Sequence, residues 1–362
     1  MKTIGVITHW GSLDNYGQTL QTYALQQTLS ELNLAPFLIR YKEDGIKRSF
    51  LQKLFSCLNP RFFYSAIRNK RLNRIDYRNN IQHGRDLRSF LDSKIRQAEI
   101  IYGREDLLAS PPDADIFITG SDQVWNKLDR SYFLDFTDKK KIAYAASFGS
   151  ADYVGKALID LNMLLKQFSH ITVRENSGVD ICRRANVKNA SVVPDPTLLL
   201  TDSHYRNLAV IEKNIRPYIL IYFLGNQTDF NIERCYEFAE ENNLDVKYIA
   251  GQRQIDKYEK IYPSMEEWLG LIDKASYVVT NSFHGTALSI ILNTPFISVP
   301  LTANSKKMND RLETLLTRYN LVDRITSDLS VLRDPIEYQP INQIIAEDRD
   351  FGRKNLIQMI ER

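Results

Sequence analysis

The chain has 362 residues, 43% hydrophobic and 25% charged, with a formal net charge of +3. That length favours two domains, and the composition excludes a disordered or fibrous protein. Three scattered cysteines, Cys57, Cys182 and Cys235, exclude a disulfide framework and point to a reducing compartment. No run of about 18 apolar residues exists to span a membrane, and MKTIGVITHW is too brief an apolar stretch for a signal peptide. A cytoplasmic location is expected.

Taken in order, Ile4 to Thr8 reads as a buried strand, HWGSLDNYG as its exit loop, and Gln18 to Leu32 as a helix with Leu20, Ala24, Leu25 and Leu29 at helical spacing. Pro36 to Tyr41 is a strand. Residues 42–104 lack clear alternation and read as a helical insertion. Asp115 to Thr119 is a strand leaving through GSDQVWN, and Ile142 to Ala146 is another, followed by a helix to about Phe168. His170 to Val173 empties into RENSG and a helix, and Val192-Val193 leads to Pro194-Asp195-Pro196.

A second series starts at Tyr218, with strands YILIYFLG, Val246 to Ala250, Tyr277 to Val279 and Phe296 to Val299. Helices are expected over Phe230 to Glu241, Met265 to Ile272, the stretch after Val279, and Met308 to Tyr319. Alternating strands and helices predict parallel sheets covered on both faces. The expected fold is α/β, two Rossmann-like domains facing a cleft, divided as 1–200 and 201–362. Ligands in such sheets bind beyond the carboxyl ends of the strands, where every quoted loop lies.

TNSFHGTALSI, residues 280–290, places a histidine and a glycine between a β-branched strand and an apolar helix. A helix start offers unpaired N–H groups and a positive dipole end, suited to an anion. Two readings stand. In one, Ser282, His284, Gly285 and Thr286 form an anion site. In the other, Asn281 or Ser282 merely caps the helix and His284 satisfies a nearby carbonyl. Elsewhere, Asp195 between its prolines reads as fixing the domain junction, His9 opens a ligand-side loop, and Glu175 reads as a partner for Arg174 or a neighbour. No zinc spacing and no phosphate-binding G-x-x-x-x-G-K-[ST] motif occurs, so no metal and no bound cofactor are expected.

GSLDNYGQTLQTYALQ (11–26), TGSDQVWN (119–126), YAASFG (144–149), ITVREN (171–176), VPDPTLLL (193–200) and NSFHGTALSIILNTPFISVP (281–300) together resemble the polysaccharide pyruvyl transferase family over roughly residues 3–325. The resemblance implies a GT-B-like fold and transfer of a pyruvyl group from phosphoenolpyruvate, as co-substrate, to a sugar, usually as a cyclic ketal. His284 matches the family histidine, Gly285 the glycine after it, and Arg174 the arginine of the Val-Arg-Glu loop. Ser282 departs from the pattern, standing where many members carry arginine. Lys306, Lys307 and Arg311 are the candidates to replace that cation. Their alternative role is a solvated helix start.

Phosphoenolpyruvate carries a phosphate and a carboxylate, so converging cations suit it, arginine above all. His284 fits as phosphate ligand or general acid. Asp122 is the candidate base, or equally a turn residue. Asp14, Asn15, Tyr16, Gln18, Gln123, Trp125 and Asn126 are the candidate acceptor contacts, with Trp125 also readable as core. Replacing His284 or Arg174 is expected to cost activity and leave stability nearly unchanged. Two other functions fit the same residues: a GT-B glycosyltransferase using a nucleotide sugar, and a non-catalytic sugar-binding relative.

From Lys47 to Arg88, eleven basic residues oppose only Asp76 and Asp86. Phe50, Leu51, Leu54, Phe55, Leu58, Phe62, Phe63 and Ile67 lie among them. Such a segment suits an anionic membrane surface or a helical pair packed on the domain. It lacks any nucleic-acid fold signature, and no nucleic-acid partner is expected. The resemblance adds that acceptors of this family include sugars carried on a polyprenyl diphosphate, which such a segment would dock at the inner face of the cytoplasmic membrane.

Overall fold

A computed structural model describes residues 1–12, 14–43, 60–149, 152–213, 215–225, 228–251, 256–302 and 309–362, with the backbone alone at 60–67 and 69. Two parallel sheets organise them. The first runs β3-β2-β1-β4-β5-β6-β7 and the second β11-β10-β8-β9. In the first, β1 (Thr3–Ile7) lies between β2 (Ala35–Tyr41) and β4 (Ile116–Thr119), with Val6 opposite Leu38 on one side and Ile118 on the other. β5 (Lys140–Ala146), β6 (His170–Val173) and the two-residue β7 (Ser191–Val192) extend it. In the second, β8 (Tyr218–Tyr222) is flanked by β9 (Asp245–Ile249) and β10 (Tyr277–Thr280), with β11 (Phe296–Ser298) outermost. The central strands are apolar on both faces because helices cover both.

Helix α1 (Tyr16–Glu31) shows why the two sheets sit close. It is buried nearly all round, not along one stripe. Leu25 and Leu29 pack on the first sheet with Ile4 and Ile118. Tyr16, Leu20 and Tyr23 join a core reaching Met265 and Trp268 across the cleft. Its buried threonines do not compete with the fold, because the Thr22 and Thr28 hydroxyls donate to the carbonyls of Gln18 and Ala24 one turn back.

The expected insertion holds α2 (Pro60–Gln82), α3 (Leu87–Lys94) and also an edge strand, β3 (Gln97–Tyr102), that pairs with β2. Its exposed Ile100 and Ile101 break the alternation a strand would show. Residues 46–59, with Lys47, Arg48, Phe50, Leu51, Lys53, Leu54, Phe55, Cys57 and Leu58, lie outside the described residues, as do Lys306 and Lys307. On α2, Arg68, Lys70, Arg71 and Arg74 are exposed.

The remaining helices are α4 (Arg104–Ala109), α5 (Gly155–Leu165), α6 (Asn176–Arg184), α7 (Asp202–Leu208), α8 (Glu233–Glu241), α9 (Met265–Lys274), α10 (Phe283–Ile291), α11 (Asp310–Arg318) and α12 (Tyr338–Glu361). The last lies across the expected division at residue 200. Ile341 and Ile345 sit in the core shared with α9 to α11, whereas Leu356, Met359 and Ile360 pack beneath the first sheet. Gly352 marks the crossing point. A Cβ there would lie 2.5 Å from Leu199 and 2.9 Å from Pro194, so only glycine allows α12 so close. Among the described residues no helix is long and apolar enough to cross a membrane.

Candidate active site

The exits of β4, β6 and β7 converge with the start of α10 on one buried carboxylate, Asp195. Its Oδ2 accepts hydrogen bonds from Ser121 Oγ and Arg174 Nη1, both at 2.8 Å. Its Oδ1 accepts from the Thr197 N–H at 3.0 Å and the Thr197 hydroxyl at 2.8 Å. His284 Nε2 stands 3.7 Å from Oδ2. Burial alone would raise the Asp195 pKa, but His284, Arg174 and the Thr197 hydrogen bond hold it well below the usual carboxylate range.

Arg174 is 3% exposed, with its guanidinium 4.5 Å over the Phe283 ring. Its Nη1 is spent on Asp195. Its Nε and Nη2 have no hydrogen-bond acceptor, and Asp122 Oδ1 lies 3.8 Å from Nη2. Those two nitrogens form one edge of the guanidinium, the edge a carboxylate or phosphate takes with two parallel bonds. Arg174 also lines a cavity of about 560 Å³ with Asp195, Phe283, Leu315, Tyr319 and Phe351.

Arg311, on α11, is buried beside this group. Burial and the Arg174 charge push its pKa down to about 10, against the pull of Glu175, Asp122 and Asp195. Glu175 has no exposed surface. Its Oε1 accepts the Phe148 N–H at 2.8 Å, its Oε2 accepts no hydrogen bond, and burial raises its pKa despite Arg174 and Arg311. Asp122 lies 3.6 Å from His9 Nδ1, and His9 Nε2 lies 3.6 Å from Glu43. Burial would lower the His9 pKa, but these two carboxylates raise it to about 9. Asp122 is correspondingly held well below its usual value, burial being outweighed by His9, Arg174 and His284.

At the start of α10, Ser282 is the N-cap and accepts the Gly285 N–H at 3.2 Å. The capping role read from sequence is therefore present, with the Gly285 N–H committed to it. The Thr286 hydroxyl pairs with Ser298 Oγ at 2.6 Å in the interior and does not face the anion position. His284 does not satisfy a carbonyl. Its Nε2 is buried and has no hydrogen-bond partner.

The acceptor-side residues divide. Trp125 is wholly buried, stacked on Phe133 at 5.2 Å, and its Nε1 donates to the Tyr132 carbonyl, so it is core and offers no face to a sugar. Tyr16 is likewise fully buried, with its hydroxyl donating to the Pro263 carbonyl at 2.6 Å. Asn15 caps α1 by accepting the Gln18 N–H, and Gln18 Oε1 accepts the Ser12 N–H. Asp14 Oδ1 accepts from the Ser12 hydroxyl. Gln123 and Asn126 are half-buried. The sequence reading places Asp195 at the domain junction but misses its pairing with Arg174, and it leaves Glu175 outside the site. Their position just past strand ends, the signal that marks His284, finds both. Among the described residues no group of His, Cys, Asp and Glu side chains could hold a metal ion.

A sequence profile for polysaccharide pyruvyl transferase matches residues 15–301, the greater part of the chain, including Asp122, Arg174, Glu175, Asp195 and His284 but not His9 or Arg311. The chain belongs to the polysaccharide pyruvyl transferase family. No curated protein matches this family member in sequence. Among solved structures it is similar to a protein assigned as UDP-N-acetylglucosamine 2-epimerase from Listeria monocytogenes. The two are 11% identical with a TM-score of 0.53, over 99% of this chain and 95% of that one. UDP-GlcNAc 2-epimerase from Neisseria meningitidis bound to UDP-GlcNAc gives 10% identity and 0.47 over 99% of both chains. An alpha-glucosyltransferase in complex with UDP and DNA gives 10% and 0.46, over 99% and 96%. Likeness at this identity concerns fold alone, and this pyruvyl transferase family member has the GT-B-like architecture expected of it.

Proposed function

We propose that this family member transfers a pyruvyl group from phosphoenolpyruvate to two hydroxyls of a sugar in cell-surface polysaccharide synthesis. One observation carries the reading: the edge of the buried Arg174 formed by Nε and Nη2 has no hydrogen-bond acceptor, and the unbonded Nε2 of His284 belongs to the same buried group. Such an edge takes a carboxylate or phosphate with two parallel bonds, and phosphoenolpyruvate supplies both. In this reading Arg311 replaces the cation missing at Ser282.

The transfer begins with protonation of the enol C3 of phosphoenolpyruvate, which makes C2 electrophilic. A sugar hydroxyl adds to C2 and loses its proton. The C2–O bond to phosphate then breaks with inorganic phosphate leaving, and a second hydroxyl adds to C2, loses its proton and closes the ketal. His284 stands where it would bind or protonate the departing phosphate. Glu175, whose raised pKa helps a carboxyl keep its proton, is the second proton source in reach of the arginines. Asp122 is the sequence candidate for base. Its depressed pKa suits it better to orienting His9 and Arg174 than to removing a proton. The cavity of about 560 Å³ lined by Arg174, Asp195 and Phe283 offers the donor its approach.

For the acceptor we propose a sugar held at the half-buried Gln123 and Asn126, with the exposed basic face of α2 resting on an anionic bilayer when the sugar is carried on a polyprenyl diphosphate. The test is phosphate release from phosphoenolpyruvate in the presence of nitrophenyl and lipid-linked glycosides. Thermal stabilisation by UDP or GDP sugars and none by phosphoenolpyruvate would replace this reading with a glycosyltransferase.

A further inference from the structure

The loop between α5 and β6, the loop between α6 and β7, and the last turn of α12 border a cavity of about 630 Å³ at the amino end of the first sheet. It lies at the other end of β6 from the catalytic group. His170 opens that strand and Arg174 leaves it, roughly 13 Å apart at the rise of a parallel strand. Lys166 and His170 line the cavity from the first loop, Lys188 from the second and Arg362 from α12. Lys140 Nζ donates to the Ile360 carbonyl at 3.1 Å and holds the end of α12 in place.

No aspartate or glutamate lines this cavity. The neighbouring surface of α6 is different: there Arg183 pairs with Asp180, and Arg184 with Asp152. A lone surface cation attracts little. A cleft lined by one sign of charge focuses its field and concentrates counter-ions. The half-buried His170 feels that field, since burial, Lys140 and Arg362 together hold its pKa below the usual histidine value. The volume is in the range of small-molecule sites and is more than inorganic phosphate would fill. Lysine takes phosphate as a point charge. The amides of Asn189 and Gln358 stand among the cations and can both donate to and accept from hydroxyls.

We propose that this cavity binds a phosphorylated polyol carrying at least two anionic groups. The site is separate from the catalytic group, and the proposal does not rest on the donor reading. The bound molecule would bridge the last turn of α12 to the starts of β6 and β7, joining segments far apart in the chain. Ligand-linked stabilisation of the fold follows from that bridging.

The experiment is calorimetric titration of the full chain with fructose 1,6-bisphosphate, inorganic phosphate and fructose. The proteins are wild type, Lys188→Gln, the triple variant Lys166→Gln/Lys188→Gln/Arg362→Gln, and His284→Ala. Wild type should bind the bisphosphate more tightly than phosphate and should not bind fructose. The triple variant should bind the bisphosphate about tenfold or more weakly, with Lys188→Gln in between. His284→Ala should bind it as wild type does. The bisphosphate should raise the unfolding midpoint of wild type and leave that of the triple variant unmoved. The site is refuted if wild type does not bind the bisphosphate, if the triple variant binds it as wild type does, or if His284→Ala loses it equally. Equal affinity for inorganic phosphate would overturn the polyol class.

Discussion

Gly17 of α1 and His284 of α10 touch across the two sheets' helices: a Cβ built on Gly17 would lie 2.1 Å from His284 Nδ1 and 2.4 Å from Cγ. No side chain fits there unless the imidazole moves. The glycine is thus part of how the histidine is aimed, although no ligand need touch it. Gly17→Ala should cost about 1–3 kcal/mol of stability by overpacking and lower turnover about a hundredfold by displacing His284. Thermal unfolding and phosphate release check it. Unchanged turnover would show that the position of His284 does not matter.

His284→Ala and Arg174→Ala should each lose about 2–4 kcal/mol of transition-state stabilisation. Their stabilities should differ. His284→Ala removes a group that stands 3.7 Å from Asp195 and makes no hydrogen bond to it, whereas Arg174→Ala strips the hydrogen-bonded ion-pair partner from Asp195, which has no side-chain exposure. Breaking such a pair costs about 3–5 kcal/mol. The expectation that both substitutions leave stability unchanged is therefore corrected for Arg174. Denaturant titration distinguishes the two variants, and equal stabilities would contradict the pairing.

Arg311→Met tests the proposed second cation. It keeps most of the side-chain volume and removes a charge to which Glu175, Asp122 and Asp195 are drawn, so unfolding midpoints should fall. Phosphoenolpyruvate binding should weaken about tenfold or more. A variant that binds the donor normally would exclude Arg311 as the replacement cation.

The His9 pair sets a pH window. Its folded pKa of about 9 lies above the ordinary 6.5, so its contribution is complete below about 6.5 and is lost as pH rises through 9. It amounts to at most about 3 kcal/mol. Wild-type stability should fall between about pH 6.5 and pH 9.5 more steeply than that of His9→Gln, measured by urea unfolding. Parallel curves would mean that His9 is not charged at neutral pH.

The proposed membrane contact is tested by vesicle co-sedimentation. Each of Arg68, Lys70, Arg71 and Arg74 near an anionic surface should contribute about 1 kcal/mol. Changing all four to glutamine should abolish pelleting on phosphatidylserine vesicles, and high salt should do the same to wild type. Equal, negligible pelleting of both proteins at low salt would reject the contact.

The alternation of strands and helices is legible in the sequence because buried parallel strands are continuous apolar runs. The start of α10 is legible for a related reason: the run Val278-Val279, the cap Ser282 and then His284 are local signals that follow one another along the chain. What escapes the sequence is pairing at a distance. The Asp195–Arg174 bond joins residues 21 apart, and nothing local distinguishes a structural acid from a counter-ion. Tyr16 and Trp125 sit in stretches of ligand-binding composition, yet both are fully buried. In a closed cleft the aromatic residues nearest the ligand side also build the core beneath it. Strand β3 escapes because Ile100 and Ile101 stand side by side and are both exposed, where alternation predicts one of the two to be polar.

The path of α12 bears on how the cleft can move. The chain passes from the first sheet to the second near Leu200, and α12 brings it back, its Ile341 and Ile345 in the second body and Leu356 to Ile360 under the first. Two neighbouring tethers act as a door hinge does: they oppose free twisting and leave swinging about the line that joins them, against the core α1 shares with Trp268. Arg349, whose guanidinium donates to the Leu200 carbonyl at 3.2 Å, fastens one tether to the other. Opening would then follow a single track, and the arginines and His284 would return to the same register at each closure.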